Sequence, residues 1–364
     1  MGIKNLSQFL KKYEVYETLH ISNLVYTKLG IDAPMFLYKF KGVTNVNTNE
    51  WLGCFITFIA FLRKWDIHPI FVFEGKAPPE KLQTQEERRE QRQKMVHKTN
   101  TIELDLNTYK SDGCITPLLS EVWEKLKNKN KSLLTKKTLS RVKVLDVSAI
   151  EDEIERRRRY EISISSEDIT NLKDLLDIMG VSWIQSIGEA ETDCVSLFYS
   201  GVVDYIVSED TDVLAYFSSQ SEELKVINNF NTTELTFTQI SKQKVLDALN
   251  LTSESFRDFC IMCGTDYNKN IFRVGVETAY KFITKNFNIE NVPLDVSILN
   301  HGRVREIFEV KENFALNDKV MWCRLPKTKF LDDLAIFVFT HNIKNVDVNH
   351  TFECMNESDI DVVE

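Results

Sequence analysis

Nowhere in this chain do 18 apolar residues run together, so the sequence offers no membrane-spanning helix. No secretory leader is expected either, because no continuous apolar stretch follows Lys4 in the opening MGIKNLS. The myristoylation pattern is missed by one place, since Leu6 stands where Ser or Thr is required. An intracellular protein is the expectation. Disulfides are not expected: the seven cysteines are odd in number and scattered from Cys54 to Cys354, which suits core residues in a reducing compartment. Only Cys260 and Cys263 have C-x-x-C spacing, and neither a second pair nor an H-x3-H partner accompanies them. Among Phe256, Phe259, Ile261 and Met262 they read as helical core packing rather than a zinc or redox site. No internal repeat is found.

What is present is an ordinary globular composition, 43% hydrophobic and 27% charged, in 364 residues, enough for one large domain or two smaller ones. The net charge of −9 taken alone speaks against a nucleic-acid partner. Its distribution weakens that objection. Residues 76–160 carry 20 Lys and Arg against 14 Asp and Glu, and the rest carries 25 against 40. A basic segment in an acidic protein suits a phosphate backbone gripped locally; a solvated charged helix explains it equally well.

Short β-rich runs alternate with helical patterns, the signature of an α/β fold with a mainly parallel central sheet flanked by helices. Strands are expected at Val25–Asp32, Pro69–Phe73, Val181–Gln185, Asp204–Ser208 and Leu224–Asn228. Apolar residues at helical spacing predict helices over Gly53–Lys64, around Ile169–Met179, and from Gly188 to near Gly201. A basic, Lys- and Asn-rich insertion occupies 96–160, with KLKNKNKSLLTKK at 125–137 and Arg156–Arg159 near its end. The segments therefore divide as 1–95, 96–160, 161–290 and 291–364. Beyond 290 the only pattern is a helix suggested by Leu331, Leu334, Ala335, Phe337 and Val338, and the acidic tail MNESDIDVVE is expected to be disordered.

Acidic residues gather at the C-terminal ends of the predicted strands: Asp32 after the first, Glu74 after the second, Asp210 and Asp212 after the fourth. In open parallel sheets ligands bind at that edge. Glu189 and Glu191 open a helix, and Asp266 lies in a Gly-Thr-Asp-Tyr turn. So many carboxylates would repel one another unless cations neutralise them. Oxygen donors without His or Cys suit Mg²⁺, with Mn²⁺ as substitute. Two such ions about 4 Å apart could activate a water and stabilise the leaving oxygen in phosphodiester hydrolysis. A structural acid network is the alternative.

MGIKNL, IDAPMFLYKF, FVFEGKAPPEKL, GEAETDC, SEDTDVL and CGTDYN follow one another in this order, and together they resemble the flap endonuclease/XPG superfamily of structure-specific nucleases. The likeness spans roughly residues 1–95 and 165–285. It implies a PIN-like, resolvase-like nuclease core with an inserted basic helical arch and a helix–two-turn–helix hairpin. By resemblance, Asp32, Glu74, Glu189, Glu191, Asp210, Asp212 and Asp266 hold two Mg²⁺ ions. Gly2, exposed if Met1 is removed, would lie near the substrate's branch point, Tyr38 would stack on a base beside the scissile phosphate, and Lys81 and Arg88 would stabilise the developing charge. Lys81, Arg88 and Arg92 share one helix face by spacing alone; a surface ion-pair face with Glu86, Glu87 and Glu90 is the plainer reading of the three. The implied activity is Mg²⁺-dependent cleavage of branched or flapped DNA near a single-strand/duplex junction, by a monomer at a nuclear or viral replication site.

Three departures mark this chain. Glu74 stands where flap endonucleases carry Asp, and in having Glu there the chain resembles a Holliday-junction-resolving branch of the superfamily. At the hairpin, Asn-Ile-Phe-Arg-Val-Gly-Val-Glu-Thr-Ala (270–279) keeps only Gly275 of the expected glycines and has Glu277 at a usually basic position, which leaves open the grip on duplex and any potassium site. The insertion is longer than a flap endonuclease's arch, and its charge suits threading of a single strand. No Q-x-x-[ILM]-x-x-aromatic-aromatic box occurs, so sliding-clamp docking is not supported. The rival readings are junction resolution or 5′→3′ exonuclease action, a similar nuclease directed at RNA, and a catalytically inactive binding scaffold.

Overall fold

Six consecutive buried residues, His68–Phe73, run through the sheet of the computed structural model, which describes residues 2–44, 48–130, 145–219, 223–310, 322–323 and 329–356. Along this strand Ile70 and Val72 enter one apolar cluster while Phe71 and Phe73 enter another. Alternate side chains of a strand point to opposite faces, so both faces of the sheet are covered.

The seven strands are β1 Tyr16–His20, β2 Lys28–Asp32, β3 His68–Phe73, β4 Ser182–Gln185, β5 Tyr205–Val207, β6 Lys225–Asn231 and β7 Thr236–Ser241. They lie in the order β1-β7-β6-β5-β2-β3-β4. From β6 to β4 every pairing is parallel; β7 runs antiparallel to β6 and to β1. The expected parallel block is therefore present, with an antiparallel pair at one edge that the sequence reading did not include. The polar Tyr-Glu-Thr-Leu-His and Thr-Phe-Thr-Gln-Ile-Ser segments carry too few apolar residues to announce strands, and β1 is partly exposed throughout. The first predicted strand is also shorter than expected: Tyr26 turns the chain with φ 61°, so β2 starts at Lys28.

The helices are α1 Leu6–Leu10, α2 Ala33–Val43, α3 Glu50–Lys64, α4 Pro79–Asp112, α5 Pro117–Asn130, α6 Val147–Arg158, α7 Ser166–Ile178, α8 Ala190–Tyr199, α9 Lys242–Leu249, α10 Ser253–Cys263, α11 Val276–Asn286, α12 His301–Ile307, α13 Phe330–Thr340 and α14 Val348–Asn356. Capping explains several boundaries. Ser165 and Asp168 form a reciprocal capping box at α7, and Thr252 caps α10. Leu172, Leu175 and Leu176 of α7 and Phe55, Ile56 and Ile59 of α3 cover the face holding Phe71 and Phe73. Each such side chain contributes about 1.5–3 kcal/mol by leaving water. Cys260 and Cys263 are buried in the α10 core of the other face.

Two compact units divide the chain: one comprises residues 1–40, 48–84 and 164–364, the other residues 41–47 and 85–163. The second unit has its own small core, with Ile102 and Leu106 from α4, Leu119 and Val122 from α5, and Ile150 and Ile154 from α6. Its four-arginine run is tied internally: Arg156 and Arg157 pair with Glu153, Arg158 with Glu103 and Glu161, and Arg159 with Glu155. Of the Lys-rich stretch, residues 131–137 lie outside the described residues. In the tail, Met355 and Asn356 end α14 instead of being disordered, because Met355 is buried against the core; residues 357–364 lie outside the described residues. Among the described residues no helix is long and apolar enough to cross a membrane.

Candidate active site

Asp32 is the last residue of β2 and Glu74 follows β3 directly, so the parallel pairing of these neighbours brings both carboxylates to one sheet edge. Past β5, the next strand on the other side of β2, Ser208 Oγ accepts from the Asp210 amide and Asp210 caps a 3-10 turn, Thr211–Ala215, by accepting from the Asp212 amide at 3.1 Å. Glu189 is the N-cap of α8 and Glu191 lies in its first turn, where the helix dipole favours negative charge. The turn after α10 supplies Asp266, whose carbonyl accepts from Thr84 Oγ1 of α4 at 3.0 Å.

These groups feel one another strongly. Burial first, then the negative charge of Glu74 and Asp210, lifts the Asp32 carboxyl to about 7. Burial likewise raises Asp212, with Asp210 and Asp266 adding to it, and raises Glu191, with Asp210, Asp212 and Asp32 adding to it. Glu189 is raised by burial, an effect that Lys81 opposes.

Lys81, in the first turns of α4, forms an ion pair with Glu189 and lies 3.8 Å from Glu74 Oε1. Burial works to lower its pKa, but the charges of Glu189, Glu191 and Glu74 outweigh that and raise it. Its ammonium also stands 5.9 Å from the ring centre of the buried Tyr267. Arg88 and Arg92 follow on the same half-buried face of α4 and belong to the helical unit, whereas Lys81 is ion-paired within the carboxylate cluster.

Among the described residues, no three His, Cys, Asp or Glu side chains close around a single ion position. The donor set nevertheless fits divalent cations. It is all oxygen, and two of its buried oxygens, Glu189 Oε1 and Asp212 Oδ1, have no hydrogen-bond partner. A buried acceptor left unpaired costs free energy that a hard cation would recover. Glu74, its side chain 37% exposed, stands at the rim.

Gly2 lies against this cluster: a Cβ there would overlap Asp210 Oδ1. Tyr38 is 37% exposed on α2, and its neighbour Lys39 pairs with Glu209 at 2.6 Å. Gly275 caps α11 with open space around its Cα, so local packing does not demand a glycine there. Glu277 is ion-paired with Lys12 of the N-terminal segment, a contact no local pattern could reveal. The reading of motifs also missed Thr84, and the clamp of Arg303 on Glu80, 2.8 Å apart, beside Lys81.

Residues 1–95 match the XPG N-terminal domain and residues 180–266 the XPG I-region. The chain is 55% identical to "Probable RAD2-like endonuclease 076L" of Invertebrate iridescent virus 3, over the whole of both chains. It is 35% identical to "Probable RAD2-like endonuclease 369L" of Invertebrate iridescent virus 6, covering 98% of this chain and 92% of the relative. Flap endonuclease 1 of Lodderomyces elongisporus is 27% identical, with coverages of 87% and 74%. In fold, the chain is similar to the catalytic core of Rad2 in complex with DNA substrate, with TM-score 0.62, 14% identity and coverages of 98% and 99%. It is also similar to flap endonuclease-1 from Methanococcus jannaschii, with TM-score 0.59, 19% identity and coverages of 98% and 97%. A carboxylate cluster at the edge of this sheet, two matched domains and relatives along its full length establish that the chain belongs to the XPG/flap endonuclease superfamily of structure-specific nucleases.

Proposed function

We propose that this chain, acting as a monomer, hydrolyses a phosphodiester of DNA at a single-strand/duplex junction, with a 5′ flap as first substrate and two Mg²⁺ ions as cofactor. The observation that carries the reading is the buried acid cluster itself. Five separate chain segments converge on it, and it contains two unpartnered carboxylate oxygens. A structural acid network would be expected to pair its oxygens with donors; this one leaves Glu189 Oε1 and Asp212 Oδ1 unpaired.

Asp32, Glu189, Glu191, Asp210, Asp212 and Asp266 would hold the ions, with Glu74 at the rim. Bound there, divalent ions supply an activated water and positive charge for the leaving oxygen. Lys81 holds a permanent ammonium among the acids, suited to meet the charge that develops on a phosphate. Tyr38 offers an exposed ring on which a base can stack. In this reading Arg88 and Arg92 serve the strand from the helical unit, and the hairpin of α10 and α11, with Gly275 open at its turn, meets duplex.

One experiment tests this: labelled flap, gapped, blunt and four-way DNA, each with and without Mg²⁺. Metal-dependent flap cleavage is expected, lost in Asp210→Ala and retained in Glu74→Asp. A wild type that cuts none of these substrates overturns the reading. Preference for four-way DNA replaces the flap with junction resolution, the alternative that Glu74 favours.

A further inference from the structure

Four of the seven carboxylates sit on two elements, α8 with its cap (Glu189, Glu191) and the turn Thr211–Ala215 with its cap (Asp210, Asp212). The Tyr216 hydroxyl and Thr192 Oγ1, 2.7 Å apart, link them side chain to side chain. Thr192 follows Glu191 immediately, and Tyr216 is the residue that ends the Asp212 turn.

Tyr216 is held from other directions as well. It is fully buried, and its ring meets Phe308 edge-on at 5.3 Å. Its backbone carbonyl accepts from the Nζ of Lys242, itself fully buried at the start of α9. Burying a hydroxyl pair and an ammonium is costly unless each is bonded, whereas a Phe and a Val would fill the same space without that requirement. The polar arrangement therefore adds something packing alone would not: a directional bond of defined length between two carboxylate-bearing elements.

We infer that the Tyr216–Thr192 hydroxyl pair, braced by Lys242, is a positioning device that sets the spacing of Glu191 and Asp212 for divalent ions. The two residues touch neither ion nor substrate; they act through the carboxylates next to them. The inference rests on the metal-site reading above.

The test is Mn²⁺ binding by isothermal calorimetry on the full chain, with thermal unfolding in parallel, for the wild type, Tyr216→Phe, Thr192→Val, their double variant and Thr192→Ser. Tyr216→Phe keeps the ring and Thr192→Val the shape, so folding is retained. Each should weaken Mn²⁺ binding by roughly tenfold, as loss of a residue supporting a metal ligand does. The double variant should be no weaker than the singles, because all three remove one bond, and Thr192→Ser should bind like the wild type. Unchanged Mn²⁺ affinity in Tyr216→Phe, or losses that add in the double variant, overturns the inference alone. A wild type that binds no Mn²⁺ overturns both it and the metal-site reading.

Discussion

Gly2 stands so close to Asp210 that a Cβ at position 2 would overlap Asp210 Oδ1, and its φ of 87° lies in the left-handed region that favours glycine. Glycine is therefore required here on two counts. Gly2→Ala should push Asp210 aside and slow cleavage by about tenfold or more, equivalent to about 1.4 kcal/mol of barrier. The melting temperature should hardly move, since the strain falls near the chain's first residue. Single-turnover rates at saturating Mg²⁺ check this, and a rate equal to that of the wild type would refute it.

Lys81 and Glu189 pair with side chains 14% and 5% exposed, so removing the cation leaves a buried carboxylate uncompensated. In EDTA, Lys81→Met should be less stable than the wild type by about 3 kcal/mol, the scale for breaking a buried pair. Added Mg²⁺ should then raise its melting temperature more than it raises that of the wild type, because the ion replaces a missing charge. Equal Mg²⁺-induced shifts in the two proteins would show that Lys81 does not share the metal's electrostatic role.

His68, 7% exposed, has its pKa lowered to about 4 by burial and by the Arg63 guanidinium, 3.0 Å from Nδ1. A histidine whose folded pKa lies below its unfolded value near 6.5 leaves the unfolded chain binding the extra proton between the two values. Its contribution to stability is therefore complete above about pH 6.5 and is lost as pH falls toward 4. The buried carboxylates, with raised values, act in the opposite direction over part of that range, so the comparison must be made against a variant. His68→Asn can still accept from the Cys323 amide, which reaches Nδ1 at 3.2 Å. As pH falls from 7.5 to 5, the wild type should lose about 2 kcal/mol more stability than this variant, read by urea unfolding. Parallel pH profiles would exclude His68 as the source.

Much of the fold was legible because buried parallel strands read as apolar runs and amphipathic helices repeat at 3.6 residues. Phe71, Phe73, Leu172 and Leu176 carry those signals directly. The polar strands β1 and β7 did not, because strand formation there depends on an available sheet edge rather than on their own composition. At the site, Asp32 and Glu74 could be placed at one edge from the end points of neighbouring strands. Thr84, Tyr216 and Lys242 could not be linked to it, since each acts through a partner far away in the chain and leaves no local pattern.

The sequence alone determined the α/β class, the order of the acid-bearing motifs and the likeness to structure-specific nucleases, all of which are local patterns repeated in a set order. Only the tertiary structure decided that Lys81 pairs with Glu189, that Glu277 pairs with Lys12, and that two carboxylate oxygens of the site are buried without hydrogen-bond partners. The reason is physical. Periodicity reports which face of an element is buried, whereas charge pairing and desolvation depend on distances between segments that no single stretch of chain encodes.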